Sequence, residues 1–178
     1  FRSVQEKWRR QWDEEGVYAF DAKSKKRVYS IDSPPPFTSG ALHMGHVLSY
    51  SYFDFAARFH RMNGFSVLYP QGWDCQGFPT EVKVEKKYGY GKLSREAFKQ
   101  KCIEFTLENI EKMKSQMREM GFSPDWSLEY RTISPEYHKK VQLSLLRMFD
   151  AGLVYKKKHP VLFCTKCSSA IAKAETEE

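Results

Sequence analysis

With 178 residues the chain can form one domain of ordinary size, or one and a half, and can bury a sizeable core, which excludes a disulfide-stapled miniprotein. Hydrophobic residues make up 41% and aromatics 15%, too many for a disordered chain, and no apolar run approaches the roughly 20 residues needed to cross a bilayer. Lys and Arg number 29 against 22 Asp and Glu, a net charge of +7 that favours a polyanionic partner such as nucleic acid or a nucleotide phosphate, though charge alone leaves an ordinary basic surface equally open. The four cysteines, Cys75, Cys102, Cys164 and Cys167, are too few for a secreted scaffold. No signal peptide precedes them, so a reducing, cytoplasmic setting is expected. The chain opens on Phe1 without methionine and closes on a charged run, which reads as a piece of something longer.

In chain order, Val4, Trp8 and Trp12 recur every four positions before Gly16 and predict a short amphipathic helix lying against the body. After the basic turn Lys23 to Arg27, the stretch Val28 to Ile31 has strand composition and is ended by Pro34-Pro35-Pro36. A helix is predicted to begin near His43 to Gly45, carrying Val47, Ser51, Phe55, Phe59 and Met62 at helical spacing up to Gly64. Phe65 to Tyr69 then reads as a second strand stopped by Pro70. Strand, loop, helix and strand in this order predict a right-handed βαβ unit of a parallel sheet, hence an α/β fold. Beyond it, Ser94 is a plausible cap for a long amphipathic helix through Phe98, Cys102, Phe105, Ile110, Met113, Met117 and Met120 to Gly121. Ser134-Pro135-Glu136 starts another, with Tyr137, Val141, Leu145 and Met148 ahead of Gly152. A final strand, His159 to Phe163, leads into Cys164-Thr165-Lys166-Cys167.

The loop after the first strand is where an open α/β sheet binds ligands. Here it lacks both G-x-G-x-x-G and a P-loop lysine motif, which disfavours a dinucleotide site and a Walker-type NTPase. It reads instead Pro36-Phe37-Thr38-Ser39-Gly40-Ala41-Leu42-His43-Met44-Gly45-His46. Two histidines three apart at a helix start project to one side, beside free N–H groups and the positive end of the dipole. That corner suits a polyphosphate, and Gly45 leaves room for a base or ribose to lie on the backbone. Two surface histidines on a helix start are the bland alternative, and two ligands at that spacing are a weak metal signal.

These residues resemble the N-terminal part of the class I aminoacyl-tRNA synthetases, whose H-I-G-H signature stands here as His43-Met44-Gly45-His46. The second block, Gly72-Trp73-Asp74-Cys75-Gln76-Gly77-Phe78-Pro79, is similar to the G-W-D-x-x-G-x-P segment of the valyl, isoleucyl and leucyl members. The triple proline and Pro79-Thr80-Glu81 resemble the valyl enzymes of archaeal type, with isoleucyl as the nearest alternative. A non-catalytic module of the same fold that binds tRNA or protein is the reading from another class.

The resemblance implies that residues 28–158 are the first half of a Rossmann-like catalytic domain with long helices, preceded by a helix and turn over 1–27 and followed by 159–178, a zinc-knuckle-like C-x-x-C segment leading to an absent editing insertion. It implies activation of valine by ATP with Mg2+ and charging of tRNA(Val), by a monomeric parent in the cytoplasm. His43 and His46 would hold ATP phosphates and ribose, with Thr38, Ser39, Gly40 and Gly45 lining the approach. Asp74 would take the amino acid's ammonium, or else act as a turn aspartate. Pro36, Phe37 and, less so, Trp73 would wall the aliphatic pocket, or else belong to the core. Gln76 departs from the histidine frequent in relatives.

The family's lysine signature, K-M-S-K-S, is not found. Lys112-Met113-Lys114-Ser115 imitates it but carries Met113 in the apolar stripe of a helix, whereas the true motif is a mobile loop. A fragment without that loop is expected to be weak or inactive alone. Cys164 and Cys167 could supply half of a tetrahedral Zn2+ site, completed by a second pair elsewhere; a redox C-x-x-C fits less well because the pair follows a strand instead of opening a helix.

Overall fold

The structure, a computed structural model, describes residues 1–75, 77–89, 91–165 and 168–172. It divides into two compact units, Phe1–His138 and Lys139–Glu178. The first contains α1 (Arg2–Glu14), β1 (Val28–Ser30), α2 (Met44–Met62), β2 (Ser66–Leu68), β3 (Pro70–Trp73), α3 (Phe78–Tyr88), α4 (Arg95–Glu119), β4 (Asp125–Arg131) and the first turn of α5 (Pro135–Asp150). The second contains the rest of α5 and a small antiparallel hairpin, β5 (Phe163–Cys164) with β6 (Ser169–Ala170). The strand expected over His159 to Phe163 therefore begins only at Phe163, where Ser169 and Ala170 offer it a partner.

The βαβ unit forms as expected. β1 and β2 pair in parallel, Val28 opposite Ser66 and Ser30 opposite Leu68, with α2 between them in sequence. Pro70 does not end the strand region, however. It heads β3, which pairs in parallel with β4, an element with no counterpart in the sequence reading. A proline is tolerated as the first residue of a strand because the missing N–H is not required there; the ladder is carried instead by the Asp125 N–H donating to the Tyr69 carbonyl at 2.7 Å. Further along, Gly72 lies opposite Tyr130 and Trp73 opposite Arg131. A Cβ on Gly72 would stand 2.3 Å from Tyr130 Cζ, so the ring covers the glycine backbone and only glycine fits.

Two buried clusters hold this unit. Ile31, Ala57, Val67 and Tyr69 join β1, α2 and β2; Tyr50, Trp73, Cys75, Ile110, Met113, Met117 and Phe122 join α2, β3 and α4. The α4 stripe runs through Thr106, Ile110, Met113 and Met117, at helical spacing. Met113 is wholly buried within a continuous helix, so the Lys112-Met113-Lys114 imitation of the lysine signature belongs to the core, as its spacing predicts.

The face of α2 differs from expectation. Its buried residues are Tyr50, Asp54 and Ala57, whereas Phe55, Phe59 and Met62 of the predicted stripe are exposed. Asp54 is buried because its carboxylate is fully used: Arg58 Nε donates to it at 2.7 Å and the Ser123 N–H at 2.6 Å. Arg61 adds bonds to the Ser123 hydroxyl and carbonyl, so polar pairing places this face inward. The N-terminal helix does lie against the body, but through Arg58 over the Trp12 ring and an Arg118–Asp13 ion pair, with no residue wholly buried.

The helix α3 was not legible in the sequence. Its N-terminal Pro79, early Glu81 and late Lys86 and Lys87 are ordinary helix signals. Only Thr80 and Val84 are buried, too short a stripe to reveal a periodicity.

Candidate active site

The carboxyl ends of β1 and β3 open onto the loop that the sequence singles out. Between β1 and α2 the backbone returns to the sheet at one point, an isolated parallel bridge between Phe37 and Asp74. There Asp74 N–H donates to the Pro36 carbonyl at 2.9 Å, while Thr38 gives its N–H and its hydroxyl to the Asp74 carbonyl at 3.1 and 3.2 Å. The two sequence blocks are thus one hydrogen-bonded unit. Pro36 and Thr38 are buried, Phe37 is exposed between them as alternation along a strand requires, and Asp74 is half-buried. Trp73 is 0% exposed and packs into the core cluster beneath.

The histidine pair closes the start of α2. His43 is its N-cap; the His43 Nδ1 accepts from the Gly45 N–H at 3.1 Å and the His46 N–H at 3.4 Å, and the His43 N–H donates to His46 Nδ1 at 3.3 Å. This reciprocal arrangement is a capping box built from histidines. The rings stack at 3.8 Å with 25° between planes, on the shared side that the spacing predicts. The expectation of free N–H groups is corrected for Gly45 and His46, whose amides the His43 ring occupies. Room at Gly45 is likewise taken by that ring, since a Cβ would stand 3.0 Å from it. With each Nδ1 accepting, each ring carries a proton on Nε2, a donor not used within the pair. Partial burial, and next the neighbouring His43, hold the His46 pKa below the ordinary histidine value, which keeps it neutral.

Several residues that sequence reasoning missed complete the surroundings. Lys83 of α3 donates to the Ser39 carbonyl at 2.5 Å, and Gln116 of α4 accepts from the Leu42 N–H at 3.0 Å. Thr132, just past β4, gives its hydroxyl oxygen to the Cys75 N–H at 2.9 Å. Tyr130 stacks on Tyr137 with ring centroids 5.9 Å apart; burial raises its phenol pKa, with Asp32 and Asp74 among the nearby charges that add to the shift. With α3 and β4 unassigned, nothing in the sequence could bring these groups to the loop. A cavity of about 410 Å³ opens beside the Asp74 segment, lined by Cys75, Thr80, Glu81, Lys99 and Cys102 among others. Both thiols are pushed up in pKa by burial and are poor nucleophiles. Gln76 lies outside the described residues.

For zinc, Cys164 stands in β5 and Cys167 lies outside the described residues. Among the described residues no three His, Cys, Asp or Glu side chains come together as a metal site.

The fold thus combines an α/β unit with parallel strands, a histidine-capped helix and an adjoining Trp-Asp strand end. Residues 7–178 match the family described as tRNA synthetases class I (I, L, M and V), and the chain belongs to that family. Valine-tRNA ligases are among its relatives: that of Archaeoglobus fulgidus is 53% identical over 176 residues, covering 98% of this chain and 20% of the relative. That of Methanothermobacter thermautotrophicus is 53% identical over 173 residues, with 96% and 20% covered. The chain spans about a fifth of the length of these curated relatives. Among solved structures, the LeuRS of Agrobacterium radiobacter K84, crystallised as a ternary LeuRS-tRNA-LeuAMS complex, superposes with a TM-score of 0.82 at 32% identity, covering 97% of this chain and 20% of that one.

Proposed function

We propose that the chain carries the nucleotide loop and the amino-acid carboxylate of a valine-activating synthetase, which joins valine to ATP with its Mg2+ and then charges tRNA(Val). The observation that carries this reading is the Thr38–Asp74 ladder, which makes the histidine loop and the Trp-Asp strand end a single structural unit. Identity of about half to archaeal valine-tRNA ligases along nearly the whole chain supports valine as the substrate.

In the first step a carboxylate oxygen of valine attacks the α-phosphorus of ATP; that O–P bond forms as the bond to the β,γ unit breaks, and its electrons leave on pyrophosphate. The nucleophile is already ionised at neutral pH, so no base is needed. What remains is to align the reactants and stabilise charge on phosphate oxygens. His43 and His46 supply Nε2 donors for those oxygens beside the positive end of α2. Thr38, Ser39, Gly40 and Gly45 shape the nucleotide approach. Asp74 pairs with the α-ammonium, a charge-assisted contact strengthened by half burial. Pro36 and Phe37 border the aliphatic side chain, and Trp73 forms the packed base behind them.

The test is ATP–pyrophosphate exchange by the full-length protein with each aliphatic amino acid. Valine-dependent exchange is expected. Exchange with isoleucine alone would move the assignment to the isoleucyl enzymes, and tRNA binding without any exchange would favour a non-catalytic module.

A further inference from the structure

The loop between β1 and α2 is braced from more than one element. Thr38 is fixed on the Asp74 carbonyl at the end of β3, and the Leu42 N–H is fixed on Gln116 of α4. Between these two braces lies the Ser39–Gly40 peptide, three residues ahead of His43, and only a side chain from α3 reaches it among the hydrogen bonds of the described residues. Lys83 Nζ donates to the Ser39 carbonyl at 2.5 Å and stands 3.3 Å from the point a Gly40 Cβ would occupy.

This contact is more than a lysine keeping a helix soluble. An exposed lysine ordinarily keeps its rotamer freedom, and an exposed carbonyl such as that of Ser39 can be satisfied by water. Lys86 and Lys87, at the last turn of the same helix, have the usual place for cations that complement a dipole. Lys83 does not: it sits mid-helix and, among the described residues, forms no ion pair with a carboxylate. Its ammonium has three N–H donors and Ser39 takes one, so the group that fixes the peptide also holds a positive charge at the loop's edge. Gly40 beside it has no side chain to shield that charge from a ligand.

We infer that Lys83 is a positioning residue of the nucleotide loop, tying the Ser39–Gly40 peptide to α3 and orienting the phosphate chain of ATP toward the His43–His46 corner. The inference rests on the function proposed above for this loop. It gives α3, which packs against α4 and buries only a short stripe, a role beside the loop.

The experiment compares wild type, Lys83→Ala, Lys83→Gln and Lys83→Arg in the full-length protein. Mg-ATP binding is measured by calorimetry, and KM for ATP and for valine by pyrophosphate exchange, with thermal melting run in parallel. Loss of one charge-assisted hydrogen bond predicts an ATP Kd and KM about tenfold higher in the alanine and glutamine variants. The valine KM should stay within about twofold and the melting temperature should be unchanged. Arginine, which can still donate to the Ser39 carbonyl, should recover most of the loss. Unchanged ATP binding in Lys83→Ala would overturn the inference. So would equal losses for both substrates with a lowered melting temperature, or an arginine variant as poor as alanine. The wild-type exchange reports on the proposed function separately, and the calorimetric ATP comparison reads Lys83 even without turnover.

Discussion

Asp74 offers two independent parts of one residue. Its backbone N–H and carbonyl hold Pro36 and Thr38, while its carboxylate is the group proposed above for the ammonium of valine. Asp74→Ala in the full-length protein should therefore leave the loop in place. The valine KM is expected to rise at least about 30-fold, the cost of deleting one partner of a desolvated charge pair, with the ATP KM nearly unchanged; exchange kinetics measure both. Equal losses would make Asp74 a structural residue. His46 carries a pH dependence with a definite sign. Its pKa is lowered on folding, so the unfolded chain binds the proton more readily, and the stability that the neutral ring contributes is present above about pH 6.5 and lost as pH falls below it. Melting at pH 7.5 and pH 5.5 should show a drop at the acid end that is smaller in His46→Gln than in wild type. A drop of equal size would rule out the histidine cap as its source.

Among the elements, β3 is the one whose sequence disguises it. Pro70, Gln71 and Gly72 have turn composition, yet they make a strand because Tyr130 supplies across the ladder the side chain that Gly72 lacks. Gly72→Ala pushes a methyl into that ring and should cost about 3 kcal/mol of stability, within the range for overpacking. In a Tyr130→Ala background the same substitution should be nearly neutral, and chemical denaturation of the four proteins gives the coupling directly. The helix α2 shows the opposite disguise. Its most apolar side chains, Phe55, Phe59 and Met62, face outward, while Asp54 and Arg61 face in because Ser123 satisfies both. Periodicity identified the helix and its start near His43 to Gly45 correctly but could not tell which face would be buried, since that depends on Ser123, 62 residues from Arg61 and 69 from Asp54.

At the scale of the whole molecule, the first unit is organised around the chain from Ser66 to Asp74, which pairs with β1, with β4 and with the Pro36–Thr38 loop in turn. Both motif blocks therefore meet at one end of the sheet. The sequence by itself determined the α/β class, the βαβ unit, the histidine and Trp-Asp blocks and their family, because each rests on local chemistry: a cap, a period, a glycine, a short motif. It also sufficed to reject the lysine lookalike, since a methionine within a helical stripe is a core residue. Only the tertiary structure decided which face of α2 is buried, that Pro70 begins a strand, and that Lys83, Gln116 and Thr132 meet the histidine loop and its neighbour. Those outcomes depend on hydrogen bonds and ring contacts between segments far apart in sequence, whose free energy exists only once the chain has brought the partners together.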